Sequence, residues 1–387
     1  MKILFISFSD FKGGANIAAK SIYDSVKKTN IKKKYFTVYS EKKQNTEIYQ
    51  FFGKLYINSL RFLEKIIILI FLKKKFHQSL NIFYTNIVSK INSLNYDVIN
   101  IHWINRSMIS LSDIIKIKNK VIINLHDMWF LRSTEHYSLN NENSKDLISN
   151  YCFDMKKTIV KKKNFFFIAH NKWMLKEFKK TYPKFKEKVF LCNYYPINTK
   201  LFKPRSKIKL RKKYRFPLNK KIVFFSAQDL NDTRKGYKYF IDIVLKLKKQ
   251  ENIFFISVGK YIKKYEKIKN LKQIESLSHE KVAEIYSLSD IFICTSLIDN
   301  LPLTVLEALS SGNLVISLKN GGSEEILKKV GYIYKKTQKN KIIKKLKTIS
   351  NSEIYNKSKI SRNFALSHFN ERKIASQYNK ILQRICT

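Results

Sequence analysis

Residues Ser289–Leu327 read SDIFICTSLIDNLPLTVLEALSSGNLVISLKNGGSEEIL, and they predict a strand, a loop, a helix and a second strand. The short apolar run Ile291–Cys294 favours a buried strand. Pro302 lacks an amide hydrogen and suits the first turn of a helix, and Gly312 ends that helix before the apolar strand Leu314–Leu318. Alternating strands and helices of this kind are typical of an α/β protein with a parallel sheet.

The loop between this strand and this helix carries two carboxylates beside a helix amino end. Amide groups at such an end carry a positive partial charge, which suits a phosphate. Asp299 stands at the rim of this end, and Glu307, with seven residues between them, is expected near the same ligand about two turns further along. The alternative is a capping Asp and a solvated helix Glu. The backbone of the helix end is formed by Asn300, Leu301, Pro302 and Leu303.

The composition predicts two domains and an anionic partner. A chain of 387 residues is long enough for two cores of ordinary size. Its 76 Lys and Arg residues against 29 Asp and Glu give a net charge of +47, which favours lipid headgroups, polyphosphates or nucleic acid. An AT-rich genome is the alternative source of part of this excess, because the chain is also rich in Ile and Asn.

The cysteines and the apolar runs limit the possible classes further. The four cysteines have neither zinc-site nor disulfide-framework spacing, so we expect neither feature and a reducing cytoplasm. The opening run Met1–Ser7 fits a buried strand better than a secretory signal. The longest apolar run, Ile66–Leu72, is shorter than the ~18–20 residues that span a bilayer. Integral insertion is therefore not expected.

Two further places in the first half suit ligand binding. Gly13 and Gly14 follow the first strand and precede a helix, where a glycine backbone can approach a phosphate or simply form a tight turn. His102 and His126 each follow a buried strand, at the sheet edge where ligands bind. A neutral imidazole there can bind a hydroxyl or take its proton, with Asp127 tuning it; a structural role is the alternative.

Residues Phe51–His77 predict one long helix that is apolar over much of its circumference. Lys54, Arg61 and Lys65 add positive charge. Such a helix suits a membrane interface, with its lysines among anionic headgroups. Packing against the sheet as a core helix is the alternative, and the sequence leaves both open.

The second half repeats the strand–helix pattern after a proline-containing interruption. We therefore predict a first domain over 1–195, a linker over 196–217, a second domain over 218–365 and a closing helix over 366–387. Arg234 and Lys235 directly precede a helix in the second domain and are candidates for an anion clamp. Solvated surface charges are the alternative.

Together these motifs resemble the retaining glycosyltransferases of family 4, which have the GT-B fold. The resemblance is closest to the exopolysaccharide and colanic-acid type and covers nearly the whole chain. It implies two Rossmann-like parallel-sheet domains facing a cleft, with a C-terminal helix crossing back to the first domain. The motifs are Gly13-Gly14, HDMW at His126–Trp129, NYYPINTKLFKP at Asn193–Pro204, RKG at Arg234–Gly236 and IDNLPLTVLEALSSGNLVI at Ile298–Ile316.

The resemblance also implies roles for the residues of the second domain. Glu307 matches the residue that binds the ribose hydroxyls of the nucleotide. Asp299 matches the residue that contacts the donor sugar, although Glu is more usual at that position. Arg234 and Lys235 match the cations that hold the donor diphosphate and neutralise it as it leaves, so that no metal is needed. The backbone of Asn300–Leu303 is implied to lie at the same donor.

Two sites in the first domain complete the implied machinery. Gly13 and Gly14 would bring backbone amides to the diphosphate, and His126 would lie near the reacting sugar. Many relatives have a further Arg after the first strand of the second domain, where this chain has Ala227-Gln228.

The implied function is transfer of a sugar from a nucleotide-sugar donor to a lipid-linked oligosaccharide or surface-polysaccharide acceptor, as in lipopolysaccharide synthesis. The expected location is the bacterial cytoplasm, peripherally at the inner face of the cell membrane, on an anionic surface. The alternatives are a non-catalytic polyanion-binding protein and an inactive transferase homologue. Specific nucleic-acid binding is not expected, because the lysines are spread along the chain without a compact basic motif.

Overall fold

The first half of the chain forms a six-stranded, wholly parallel sheet. A computed structural model describes residues 1–26, 31–40, 51–72, 77–138, 146–260, 265 and 268–386. The strands are β1 Lys2–Ile6, β2 Lys32–Phe36, β3 Val98–Ile101, β4 Lys120–Leu125, β5 Phe165–Ala169 and β6 Val189–Leu191. Their order is β2-β1-β3-β4-β5-β6, and every neighbouring pair is parallel. All four residues of β3 are buried, as expected for a parallel strand covered on both faces.

Helices connect these strands. They are α1 Gly14–Ser25, α2 Phe51–Phe71, α3 Ile87–Ser93, α4 Leu111–Ile114, α5 Leu147–Lys161 and α6 Lys172–Thr181. Polar side chains start several of them: Asp146 and Asn171 accept hydrogen bonds from the first-turn amides of α5 and α6. Such caps fix the point at which each connection leaves the sheet.

The second half forms another parallel six-stranded sheet. Its strands are β7 Lys221–Asp229, β8 Ile253–Lys260, β9 Leu271–Ile274, β10 Ile291–Cys294, β11 Leu314–Leu318 and β12 Tyr332–Tyr334, in the order β12-β11-β10-β7-β8-β9. Its helices are α7 Lys207–Lys213, α8 Tyr237–Lys246, α9 His279–Leu288, α10 Leu303–Ser310, α11 Glu324–Val330, α12 Lys339–Thr348 and α13 Asn351–His368. The predicted α/β class with two parallel sheets is confirmed.

The chain divides into two compact units. Unit 1 comprises Met1–Tyr195 together with Ile374–Thr387, and unit 2 comprises Pro196–Lys373. The stretch 196–217, for which the sequence predicts a linker, belongs to unit 2 and contains α7.

The closing helix predicted over 366–387 is present but begins later, at Glu371. Two helices occupy this region, α13 and α14 Glu371–Cys386, with a break at Phe369 and Asn370. The Asn370 side chain accepts a hydrogen bond from the Arg372 amide at 2.9 Å. An Asn in this position favours a new helix start over continuation of the previous helix.

Helix α2 ends at Phe71 and not at the predicted His77, and residues 73–76 of the prediction lie outside the described residues. One side of α2 is buried through Ile57, Leu60 and Glu64. Its other side exposes large apolar side chains, among them Leu69 at 73% and Phe71 at 64%. No helix among the described residues combines the length and the apolarity needed to cross a bilayer.

Candidate functional site

Three loops at one edge of the unit 2 sheet bring the predicted charged residues together. Arg234 and Lys235 lie in a 3-10 turn after β7, Asp299 follows β10, and Gly321 follows β11. These strands are neighbours in the order β11-β10-β7 and run parallel, so their carboxyl ends meet at a single edge. In open α/β sheets this is the edge at which ligands bind.

Asp299 forms ion pairs with both neighbouring cations. Its Oδ2 atom lies 2.6 Å from Lys235 Nζ and 3.0 Å from Arg234 Nη1. Burial alone would raise the pKa of the Asp299 carboxyl, but the charges of Lys235 and Arg234 hold this pKa below its ordinary value. Arg234 also pairs with Asp232, with 3.0 Å between Nη2 and Oδ2. Two cations and two carboxylates therefore form one balanced cluster, which orders both cations without a bound ligand.

The backbone fixes this cluster to the sheet. Gly236 follows the two cations with φ +68°, and a Cβ atom there would lie 2.0 Å from the Thr295 carbonyl oxygen. Only glycine fits this conformation and this close approach. The Thr295 hydroxyl donates to the Gly236 carbonyl at 2.9 Å, and the Leu297 amide donates to the Arg234 carbonyl at 2.8 Å. The Arg-Lys-Gly turn is thus held against the chain leaving β10.

Asp299 is likewise held by the loop after β11. Its amide donates to the Asn320 carbonyl at 2.9 Å, and its carbonyl accepts from the Gly322 amide at 3.0 Å. Gly321 has φ +101°, which suits a glycine in this turn. The Gly321-Gly322 pair therefore supports the backbone of Asp299.

Glu307 lies on α10 and is not part of the Asp299 cluster. Its Oε2 atom accepts a hydrogen bond from the Tyr286 hydroxyl at 3.1 Å, while Oε1 has no partner among the described residues. Burial raises the pKa of this carboxyl to about 7, although the Tyr286 hydrogen bond opposes the rise. Pro302 precedes α10, and no side chain caps the amides of its first turn.

In unit 1, three histidines stand at the ends of three neighbouring strands. His102 follows β3, His126 follows β4 and His170 follows β5, and the parallel register places Leu125 opposite Ala169. His102 Nδ1 lies 2.8 Å from His126 Nε2, and His126 Nδ1 lies 3.0 Å from the Tyr195 hydroxyl. Both ring nitrogens of His126 are therefore engaged within the unit.

All three histidines are buried and electrically neutral. Burial lowers the pKa of His102, of His126 and of His170, in the last case to about 3. The other two histidines lower the pKa of His126 further, while Asp127 opposes them. A neutral His126 can orient a hydroxyl group but is not a cation at neutral pH.

A small pocket opens at the ends of β3 and β4. His102, Trp103, Asn105 and His126 contribute to its lining. The His102 Nε2 atom and the Asn105 Nδ2 atom are buried without a hydrogen-bond partner among the described residues. Aromatic rings with a few free polar atoms are suited to a sugar, which presents both C–H faces and hydroxyl groups.

Asp127 aligns the aromatic side of this pocket. Its Oδ2 atom accepts from the Trp103 indole at 3.1 Å and lies 2.6 Å from His136 Nδ1, whose Nε2 lies 2.9 Å from the Ser79 hydroxyl. Burial would raise the pKa of Asp127, but His136 lowers it below its ordinary value. The sequence predicts that Asp127 tunes a histidine that follows a strand. In the structure Asp127 hydrogen-bonds to His136, and it affects His126 through its charge.

Gly13 and Gly14 begin α1. Gly13 has φ +93°, which favours glycine, whereas a Cβ atom on Gly14 would meet nothing within 4 Å. No side chain caps the first turn of α1. The structure thus leaves room beside Gly14 and requires a glycine conformation at Gly13.

Lys156 is a buried residue that the sequence did not single out. Its ammonium donates to the carbonyl oxygens of Trp129 at 2.6 Å, Arg132 at 3.0 Å and Ser133 at 2.8 Å. Burial lowers the pKa of Lys156 to about 7. This side chain holds the turn that follows the HDMW segment. Nothing in the local sequence distinguishes it from the many surface lysines.

His170 and Tyr195 were also missed as partners of His126. The sequence did contain a signal for His170, because His102, His126 and His170 all directly follow strands. Tyr195 gave no such signal. No group of three or more His, Cys, Asp or Glu side chains among the described residues is arranged to hold a metal ion.

Comparisons with known proteins assign a family to part of the chain. Residues 206–365 match the family model described as "Glycosyl transferases group 1". This match lies within unit 2 and contains Arg234, Lys235, Asp299 and Glu307. No curated protein matches the chain in sequence.

Solved structures resemble the chain over nearly its full length. Sucrose-phosphate synthase from Thermosynechococcus elongatus is 14% identical, with a TM-score of 0.71 over 99% of this chain and 98% of that one. HepE from Anabaena, solved with UDP-glucose, is 16% identical, with a TM-score of 0.70 over 99% and 100%. WaaG, a glycosyltransferase involved in lipopolysaccharide biosynthesis, is 13% identical, with a TM-score of 0.66 over 98% and 99%. At these identities the similarity establishes the fold, two Rossmann-like domains of the GT-B type.

Proposed function

We propose, from the glycosyltransferase domain in unit 2, that this chain transfers a sugar from a nucleotide-sugar donor to a lipid-linked oligosaccharide or surface-polysaccharide acceptor. The enzyme class itself, a glycosyltransferase, is confirmed by the family match. The observation that carries the proposal is the cluster of Arg234, Lys235 and Asp299 at the ligand-binding edge of the sheet. The UDP-glucose bound to HepE supports a nucleotide-sugar donor.

The cations of this cluster would stabilise the leaving group. Negative charge grows on the nucleotide diphosphate as its bond to the sugar breaks, and preorganised positive groups stabilise that change. Arg234 can offer paired N–H groups and Lys235 a compact charge. Asp299 holds both side chains in place before the donor binds. In this proposal the two side chains supply the neutralising charge, without a metal.

Glu307 would bind the ribose of the donor nucleotide. Its Oε1 atom is free of protein partners among the described residues, while Tyr286 fixes Oε2. An ionised carboxylate accepts strong hydrogen bonds from the two ribose hydroxyls. The amides of the first turn of α10, near Asn300, Leu301, Pro302 and Leu303, would add a positive partial charge.

Transfer is proposed to retain the anomeric configuration. The bond from the anomeric carbon to the phosphate oxygen breaks, the acceptor oxygen bonds to the same face, and the acceptor proton passes to the departing phosphate. No carboxylate nucleophile is needed for this route. Among unit 1 residues, Gly13 and Gly14 are proposed to offer amides to the diphosphate. Neutral His126 is proposed to lie near the reacting sugar, where it fixes the position of His102.

A membrane surface is the proposed place of action. Helix α2 exposes Phe62, Leu69, Ile70 and Phe71 by about two thirds or more of their surface, and Lys65 is also exposed. Apolar side chains next to lysines on one helix suit an anionic interface. Flotation with anionic vesicles at low salt should recover the protein. A Leu69→Ser/Ile70→Ser variant should float less, whereas equal flotation would contradict this role of α2.

The donor proposal is tested by a thermal-shift screen of UDP-, GDP- and ADP-sugars. A donor at a hundred times its Kd stabilises the folded protein by about 2.7 kcal/mol, so the matching sugar should raise the melting temperature. Arg234→Gln and Glu307→Ala should remove this shift. Lys238→Gln removes one exposed charge four residues from Arg234 and should retain it. A full shift in the first two variants would contradict the proposed site.

Two other outcomes separate the alternative functions. Donor binding without sugar transfer to any membrane-extracted acceptor would indicate an inactive homologue. Absence of donor binding, together with nucleic-acid binding that collapses on adding salt, would indicate a diffuse polyanion-binding protein.

A further inference from the structure

Two arginines of unit 1 flank one phenylalanine at the carboxyl edge of its sheet. Arg61 comes from α2 and Arg106 from the turn after β3, and their Cζ atoms lie 5.2 Å and 5.7 Å from the Phe8 ring centroid. Arg106 also lies 5.4 Å from the centroid of Trp103. The Phe8 amide donates to the Trp103 carbonyl at 2.8 Å. Both guanidinium groups therefore stand over the ends of adjacent strands β1 and β3.

No ion pair among the described residues balances the positive charges of this arginine pair. Arg61 donates to two neutral oxygens, Asn58 Oδ1 at 3.0 Å and the Tyr39 hydroxyl at 3.4 Å. Arg106 makes no hydrogen bond or ion pair among the described residues, so its N–H groups are available to a ligand. Partial burial lowers the pKa of Arg106 and the charge of Arg61 lowers it further, while the charge of Glu64 opposes both. Two like charges held this way favour an anion that contacts both.

A buried carboxylate builds this arrangement without forming an ion pair with either arginine among the described residues. Glu64 lies one helical turn after Arg61 on α2, where it accepts from the Leu80 amide at 3.1 Å and from the Ser107 hydroxyl. Arg106 and Ser107 have φ values of +62° and +55°, which non-glycine residues adopt at a cost in energy. Glu64 thus ties α2 to the strained turn, and this tie brings Arg61 beside Arg106.

Two further features adjoin the arginine pair. Trp103 packs against Arg106 and also lines the pocket in which His102 Nε2 has no partner. On the other side, Arg61 belongs to the helix that exposes Phe62, Leu69 and Ile70. Exposed apolar side chains, the two arginines and the aromatic lining of the pocket therefore follow one another on unit 1.

We propose that Arg61 and Arg106 bind the diphosphate of a lipid-linked sugar that serves as the acceptor. The hydrocarbon lies along the exposed side of α2, and the first sugar lies at the mouth of the pocket, against Trp103. The guanidinium groups grip phosphate oxygens through paired N–H groups, and His102 meets a sugar hydroxyl. This inference rests on the proposed function and names the acceptor class for it.

Vesicle flotation tests the proposal without catalysis. Phosphatidylcholine vesicles carry either a polyprenyl diphosphate or enough phosphatidylglycerol to give the same surface charge. The protein should bind the diphosphate vesicles about tenfold more tightly, because paired guanidiniums recognise geometry as well as charge. Arg61→Gln/Arg106→Gln should lose this preference, and Arg106→Lys should lose most of it. Lys54→Gln/Lys65→Gln removes two charges from α2 and should weaken both vesicle types equally.

Several outcomes would overturn this assignment. Equal binding of the unmodified protein to the two vesicle types would show a general attraction to anionic headgroups. A preference that persists in the arginine double variant would place the diphosphate elsewhere. The thermal shift caused by the donor sugar should persist in all these variants, which shows that they are folded. If the unmodified protein shows no such thermal shift, the donor proposal is refuted. The vesicle result would still test the arginine pair independently.

Discussion

Glu307 differs from an ordinary helix glutamate in the environment of its carboxyl group. Burial raises its pKa to about 7, and the Tyr286 hydroxyl at 3.1 Å is its hydrogen-bond partner on Oε2. The raised pKa means that protonation competes with ribose binding in the physiological range. A carboxylate of this kind makes donor affinity depend on pH.

For Glu307 we predict that kcat/KM for the donor rises with pH through a limb near pH 7, where the carboxyl ionises. Glu307→Gln should lower kcat/KM and flatten this limb, since the amide does not ionise. The effect on folding has the opposite direction. The stabilising contribution of the protonated carboxyl is complete below pH 4.5 and is lost as the pH rises through about 7. A pH profile unchanged by Glu307→Gln would assign the limb to another group.

The sequence singled out the candidate charged residues of unit 2 but not how they pair. Arg234 and Asp299 are far apart in the chain and meet because β7 and β10 are adjacent in the sheet. Local periodicity does not determine the order of strands in a sheet. The sequence motifs therefore identify Arg234 and Asp299 but do not show that the two form an ion pair. The hydrogen-bond partners of His126 were not predicted, for the same reason. Its contact with Tyr195 depends on where the chain returns after β6.

At the scale of elements, α14 connects the end of the described chain to the centre of unit 1. The Tyr378 hydroxyl donates to Asn100 Oδ1 at 2.9 Å and lies 3.3 Å from Asn124 Oδ1. Asn100 belongs to β3 and Asn124 to β4, and Asn124 Oδ1 also lies 3.2 Å from His170 Nε2. The helix therefore completes the polar network beneath the histidines. Helix periodicity predicted the closing helix but not its break at Asn370 or this contact.

Tyr378→Phe should lower the free energy of unfolding by about 1 kcal/mol, because buried amide oxygens lose a hydrogen-bond donor. Urea unfolding measures the change. Tyr355→Phe is the matched control, since Tyr355 on α13 is exposed and should change stability by less than about 0.5 kcal/mol. Equal values for the two variants would show that the Tyr378 hydroxyl contributes nothing to stability.

At the scale of the whole molecule, the proposed binding residues are divided between the two units. The residues proposed for the donor are mainly in unit 2, whereas the pocket, the arginine pair and the apolar side of α2 are in unit 1. The alternation of strands and helices was enough to predict both sheets. The net charge of +47 was not enough to locate a site, because a sum over the whole chain does not say where the charges lie.

Deleting 374–387 should destabilise unit 1 and leave unit 2 folded, because these residues belong to unit 1. Hydrogen exchange should then show faster exchange in β3 and β4, with little change in β7 and β10. The amides of β7 and β10 are the internal control. Uniformly faster exchange in both sheets would show that the units do not unfold separately.

The division of unit 1 into two chain segments has a consequence for synthesis of the protein. Pro196–Lys373 must be translated between Tyr195 and Ile374. At about 5–20 residues per second, this interval lasts on the order of 10–40 seconds. During that time Asn100 and Asn124 lack their hydrogen bonds from Tyr378. The surface that α14 covers in the folded protein is exposed on the nascent chain. We therefore expect unit 2 to mature first on the ribosome, although unit 1 is begun earlier.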